Sequence, residues 1–144
     1  MLEPFTIKNR HGQSFQIVCQ RHQGLCWRCV ISNSSGQEVG DLLFEPQDTA
    51  SICLQNFNIF SEFAGQGLGT GIINKLQELL RKQGFVFIFG TCKTYDRPLS
   101  EKEKLAQWYV RLGFTVVREN KKDNPGYIGE LSKNLRANPN ELKR

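Results

Sequence analysis

Seven residues near mid-chain, Gly65-Gln66-Gly67-Leu68-Gly69-Thr70-Gly71, are the ones whose types and spacing point most directly to chemistry. They fall between a strand-like apolar run, Ile52 to Ile59, and a helix-like run, Ile72 to Lys82. Closely spaced glycines between a strand and a helix let backbone N–H groups approach a ligand with no side chain in the way. Those groups also carry the positive end of the helix dipole, so the matching ligand is an anion, typically a phosphate. A P-loop needs Lys and Ser/Thr directly after its last glycine, and Ile72-Ile73 follow Gly71 here. A dinucleotide fingerprint needs an acid about 20 positions on. Phe87 to Gly90 occupy that region, and no acid appears before Asp96. Both of those readings fit poorly.

The elements around the turn follow from pattern. Ser14 to Cys19, Leu25 to Ile31, Val39 to Phe44 and Ser51 to Ile59 are apolar, β-branched or aromatic runs. Turn residues separate them at Asn9 to Gly12, Gln23-Gly24, Ser32 to Gly36 and Glu45 to Asp48, which predicts an antiparallel meander. Ile72, Ile73, Leu76, Leu79 and Leu80 then share one helical face, and Gly84 closes that helix. Phe85 to Phe89 is continuously apolar and reads as a strand buried on both faces. Strand, helix and strand in that order make a right-handed crossover, so the two strands are expected to be parallel. After a loop at Tyr95 to Leu99, Ser100 and Glu103 have capping-box spacing for a second helix. Its stripe is Leu105, Trp108, Tyr109 and Leu112, and Gly113 ends it. Phe114 to Arg118 and Tyr127 to Leu131 read as closing strands around the polar loop Glu119 to Gly126.

The chain has 144 residues, which suits one domain, taken as residues 1–133 with a polar tail at 134–144. The net charge of +5 is uneven: residues 1–60 carry 4 Lys/Arg against 5 Asp/Glu, so the basic excess lies in the half that holds the glycines. That suits a phosphate-rich ligand or a solvated surface equally. No apolar run approaches a membrane span, and Met1-Leu2-Glu3-Pro4 lacks the features of a secretory signal. A cytoplasmic protein with reduced thiols is therefore expected from its five cysteines. Cys19, His22, Cys26 and Cys29 could be written as four zinc ligands. Positions 26 and 29 of a regular strand point to opposite faces, however, so small buried apolar residues are expected and no metal.

Two segments carry a family resemblance. Ala64-Gly65-Gln66-Gly67-Leu68-Gly69 fits the pattern Arg/Gln-x-x-Gly-x-Gly/Ala after a strand and before a helix, except at its first position. Trp108-Tyr109-Val110-Arg111-Leu112-Gly113-Phe114 matches an aromatic-Tyr pair near a helix end followed by a Leu-Gly-Phe turn. In this order the two motifs resemble the GNAT superfamily of acetyl-coenzyme A-dependent N-acetyltransferases, over about residues 50–132. The resemblance implies an α/β (α+β) fold: a mixed, mainly antiparallel sheet with one splayed parallel strand pair and flanking helices. It implies that the coenzyme pyrophosphate rests on the amides of Gly65, Gln66, Gly67, Leu68, Gly69 and Thr70. The pantetheine arm would lie along Phe57, Asn58 and Ile59, and backbone N–H groups near Ile59 would polarise the thioester carbonyl. Tyr109 would be the general acid, since a phenol of pKa about 10 is protonated at neutral pH and matches a departing thiolate.

The chain also departs from the family pattern. Ala64 replaces the usual Arg or Gln, and Lys102 and Leu105 stand where relatives often carry Asn and Ala. No carboxylate lies on Ser51 to Ile59 or Phe85 to Thr91 to act as general base, and Glu62 is the nearest acid. No helical period occurs between residues 10 and 50, so the two N-terminal helices that form one acceptor wall in the family are expected to be reduced or absent. The leading expectation is acetyl transfer to a primary amine of a small molecule, peptide or protein by direct attack. Alternatives are a non-catalytic module binding coenzyme A or a protein, and an acyltransferase acting on charged tRNA. A homodimer is compatible with such a protein, and nucleic acid is disfavoured because no aromatic-basic RNA motif is visible.

Overall fold

The structure, a computed structural model, describes residues 2–60, 63–93, 102–119 and 126–136. The first half is a meander, as its turn chemistry predicts. Strands β1 (Phe5–Lys8), β2 (Ser14–Arg21), β3 (Trp27–Asn33), β4 (Glu38–Pro46) and β5 (Ser51–Ile59) pair successively and antiparallel. Helix α1 (Leu68–Lys82) crosses over to β6 (Phe87–Lys93), which lies parallel to β5. Helix α2 (Lys102–Arg111) leads into β7 (Thr115–Arg118), and β8 (Tyr127–Asn134) inserts between β6 and β7. The result is one eight-stranded sheet in the order β1-β2-β3-β4-β5-β6-β8-β7. It is mixed and mainly antiparallel, with one parallel pair. No helix occurs between β1 and β5: β2 reaches β3 through a short turn at 22–26, so the two N-terminal helices are absent.

The core lies between one sheet face and the helices. Ile72, Ile73, Leu76 and Leu80 of α1 meet Phe44, Ile52, Leu54 and Ile88 of the sheet, all nearly inaccessible to solvent. Both helices end in the same way. The amides of Gly84 and Phe85 bond the carbonyls of Arg81 and Leu80, and those of Gly113 and Phe114 bond Val110 and Tyr109. This pairing needs a left-handed residue just past the helix, and Gly84 (φ 94°) and Gly113 (φ 93°) supply it.

Several sequence expectations change. β1 was not anticipated, because Phe5-Thr6-Ile7-Lys8 is too short to show a period. α1 begins at Leu68 and not at Ile72, so Gly69, Thr70 and Gly71 belong to its first turn. β6 is buried on one face only: Phe87 and Phe89 are 42% and 36% exposed, while Ile88 is 3%. The reason is that, among the described residues, no helix covers the second face. β8 runs to Asn134 and Leu135 is buried at 4%, so the packed chain continues past 133. Cys19 and Cys29 are not free thiols but a disulfide. They are direct register partners on β2 and β3, a proximity that spacing along the chain does not reveal. Cys26, Cys53 and Cys92 are free. The loop at 95–99, Ser100, Glu62 and the tail from 137 lie outside the described residues. Glu103 turns to the Arg118 guanidinium of β7, bonding it through both carboxylate oxygens.

Candidate functional site

The glycine row divides into two jobs. Gly65 and Gly67 adopt φ of 76° and 82°, which only glycine takes without strain, and they shape the turn. Gly69 and Gly71 provide clearance: a Cβ on Gly69 would lie 3.3 Å from the Trp108 ring, and one on Gly71 would lie 2.8 Å from Ile7 Cγ2. Gly67 is the N-cap of α1 and has no side chain with which to cap it, and the first turn carries no acid. The amides of Leu68, Gly69 and Thr70 have no intrahelical acceptor at that end. Leu68 itself is 1% exposed, so its side chain anchors the start of the helix in the core. This is the electrostatics of an anion seat.

Beside the seat, the sheet opens. β5 and β6 pair from Ser51↔Phe87 to Leu54↔Gly90 and no further, although both strands continue. Gly90 allows the last contact, since a Cβ there would lie 2.3 Å from the Leu54 carbonyl oxygen. Just beyond, the β4–β5 ladder shifts register between Leu43 and Phe44, which leaves Gln55 without a partner across the ladder. Past this bulge, the β5 edge facing β6 has no strand partner among the described residues. Its backbone groups are therefore available to an extended ligand that adds as a strand would. Phe57, Asn58 and Ile59 lie on this stretch. Sequence reasoning did not single out Asn56, which sits at the bulge. Its buried Oδ1 has no hydrogen-bond partner among the described residues. Such a group costs free energy unless a donor arrives; only the three-dimensional accounting of partners could have found it.

Helix α2 is tied to both features. Trp108 Nε1 donates to Thr70 Oγ1 at 2.9 Å, and its ring lies 6.1 Å from that of Phe57. Tyr109, 6% exposed, packs edge-on between Trp108 (4.8 Å) and Phe114 (5.6 Å). The Leu112-Gly113-Phe114 turn explains that packing: the closure at Gly113 folds Phe114 back onto Tyr109, the hydrophobic contact that accompanies this type of helix end. The structure thus gathers Phe57, Gly69, Thr70, Trp108 and Tyr109 in one cluster. Gln66 goes elsewhere, its side chain accepting a hydrogen bond from Asn9 Nδ2 at 3.0 Å. Asn9 belongs to the β1–β2 turn, which no sequence argument had linked to the glycines. Among the described residues, no group of three His, Cys, Asp or Glu side chains is placed to hold a metal.

No family profile and no curated protein sequence matches the chain, so its relationships are visible in three dimensions. The GNAT domain of S. lividans PAT superposes with a TM-score of 0.68 at 8% identity, covering 91% of this chain and 96% of that one. A GNAT family acetyltransferase from Elizabethkingia anophelis, solved with acetyl-CoA bound, gives 0.63 at 11% identity, covering 83% and 97%. Ard1 from Thermoplasma volcanium gives 0.60 at 14% identity, covering 74% and 69%. With the strand order, the single parallel pair and the crossover helix as described, these likenesses establish that the chain has the GNAT fold.

Proposed function

We propose that the protein is an N-acetyltransferase that moves an acetyl group from acetyl-coenzyme A to a primary amine. The observation that carries this reading is a juxtaposition. A helix N-terminus capped by a glycine and free of acids in its first turn lies beside the β5 edge that has no strand partner among the described residues, and the Trp108–Thr70 bond locks the helix bearing Tyr109 to both. The pyrophosphate would sit on the amides from Gly65 to Thr70, and the pantetheine arm would pair with the backbone of Phe57, Asn58 and Ile59. Asn56 Oδ1 would take a hydrogen bond from a ligand N–H. Attack of the neutral amine on the thioester forms the amide bond and breaks the carbon–sulfur bond. Tyr109 would protonate the leaving thiolate, and the proton lost by the amine nitrogen would pass to water, from which the phenol regains its own. The protein that the Elizabethkingia anophelis structure describes binds acetyl-CoA, which supports this choice of cosubstrate. No helix among the described residues is long and apolar enough to cross a membrane.

A second reading has its own observation. The N-terminal helices are absent, and no carboxylate lies on β5 or β6. A module that binds coenzyme A without turning it over fits both facts. Release of free thiol from acetyl-coenzyme A across a panel of amines, peptides and charged tRNA separates the readings. Amine-dependent release that falls by about a hundredfold or more in Tyr109→Phe, with coenzyme affinity nearly unchanged, is the enzyme's expected result. Binding without release in any arm is the module's. Equal turnover in Tyr109→Phe removes that residue as the acid.

A further inference from the structure

The β1–β2 turn, residues 9–13, is built against the glycine turn. Asn9 is 7% exposed and fully engaged. Its Oδ1 accepts the amides of His11 and Gln13, each at 3.0 Å, and its Nδ2 donates to Gln13 Oε1 and Gln66 Oε1 at 2.8 and 3.0 Å. This network fixes the next residue, Arg10. The Arg10 amide donates to the Gln66 carbonyl at 2.8 Å, and one guanidinium nitrogen donates to the Gly65 carbonyl at 2.6 Å. A Cβ built on Gly67 would lie 3.9 Å from Arg10 Cβ and 4.0 Å from its Nε. The guanidinium therefore flanks the N-cap of α1.

That placement is electrostatically one-sided. A helix N-terminus is positive, and a cation beside it is repelled unless an anion joins them. No carboxylate among the described residues forms an ion pair with Arg10, and the first turn of α1 holds no acid. Most of the five guanidinium donors have no partner among the described residues, on an exposed side chain. Ala64, meanwhile, leaves the turn's own sequence without the Arg or Gln of the motif it resembles.

We infer that Arg10 is a coenzyme-binding residue: its guanidinium, brought in from the β1–β2 turn, grips the pyrophosphate of acyl-coenzyme A in place of a side chain at position 64. The inference rests on the coenzyme reading above. Guanidinium binds phosphate oxygens in a forked, charge-assisted geometry, so the contact adds both affinity and orientation. It also gives the β1–β2 turn a purpose, because Asn9 aligns the backbone that carries Arg10.

The test is calorimetric titration of wild type, Arg10→Gln, Arg10→Lys and Gly67→Glu with three ligands at two salt concentrations. The ligands are acetyl-coenzyme A, its 3′-dephospho form, and S-acetylpantetheine. Arg10→Gln is expected to weaken both pyrophosphate ligands alike, by about tenfold for one charged hydrogen-bonded contact, and to leave S-acetylpantetheine unchanged. Its affinity should also depend less steeply on salt than that of wild type. Arg10→Lys should recover much of the loss, because the charge returns. Unchanged binding by Arg10→Gln, while Gly67→Glu abolishes it, would overturn this inference and leave the coenzyme reading standing. So would Arg10→Lys as weak as Arg10→Gln with the wild-type salt dependence in both, since that describes a brace for the turn. No binding by wild type would overturn the coenzyme reading itself, and this inference with it.

Discussion

At the scale of single residues, the proposed site rests on groups without partners among the described residues. Asn56 Oδ1 is buried at the β5 bulge with no hydrogen-bond partner among the described residues. An unsatisfied buried oxygen destabilises the free protein, so its removal should not harm folding. Asn56→Ala is expected to alter the stability of the ligand-free protein by no more than about 1 kcal/mol, against the roughly 1–3 kcal/mol that a lost native hydrogen bond would cost. Its KM should nevertheless rise, and urea unfolding together with steady-state kinetics checks the pair. Tyr109 was singled out by resemblance, through the aromatic-Tyr pair and the Leu112-Gly113-Phe114 turn of the GNAT pattern, whereas its helix stripe alone reads as core. The structure packs it between Trp108 and Phe114, and its role as acid is the proposal. Asn56 and Arg10 were not legible. The role proposed for each rests on what lies across the fold: a donor missing among the described residues for one, a glycine turn more than fifty residues away for the other.

At the scale of elements, the opening between β5 and β6 depends on Gly90. It forms the last rung with Leu54, where any Cβ would strike the facing carbonyl oxygen at 2.3 Å. Gly90→Ala must push the strands apart one rung early. It is expected to cost roughly 2–3 kcal/mol, read as a lower urea midpoint with the slope unchanged. The meander and the crossover were readable because short turns and a period change from strand to helix are local signals. The start of α1 was misjudged because Gly69 and Gly71 look like turn residues, whereas they are helical residues trimmed to admit Trp108 and Ile7. β6 was misjudged for a related reason. A continuous apolar run reports a strand between two covered faces only if both faces have something to cover them, and here the described residues leave Phe87 and Phe89 bare.

At the scale of the whole molecule, the absence of the N-terminal helices shifts the work of the first thirty residues to strands and turns. The β1–β2 turn reaches the glycines, and β2 and β3 are joined by Cys19–Cys29. Thiol titration of the native protein is expected to count three groups, Cys26, Cys53 and Cys92, and five after unfolding and reduction. Burial pushes the Cys92 thiol up to about 11. Its thiolate is therefore scarce at pH about 8, and it should be the last of the three to alkylate in the folded state. Mass mapping of the labelled peptides reads both outcomes, and five reactive thiols in the native, unreduced protein would contradict the bond.

The central claim is that the turn around Gly67 seats a coenzyme. Titration of the purified protein with acetyl-coenzyme A, alongside a Gly67→Glu variant shown by circular dichroism to be folded, tests it most directly. The substitution puts a side chain and a negative charge at the helix N-terminus, where Gly67 has neither. Micromolar binding by wild type that disappears in the variant is the predicted result. No binding by wild type at millimolar ligand, or equal binding by both proteins, would contradict it.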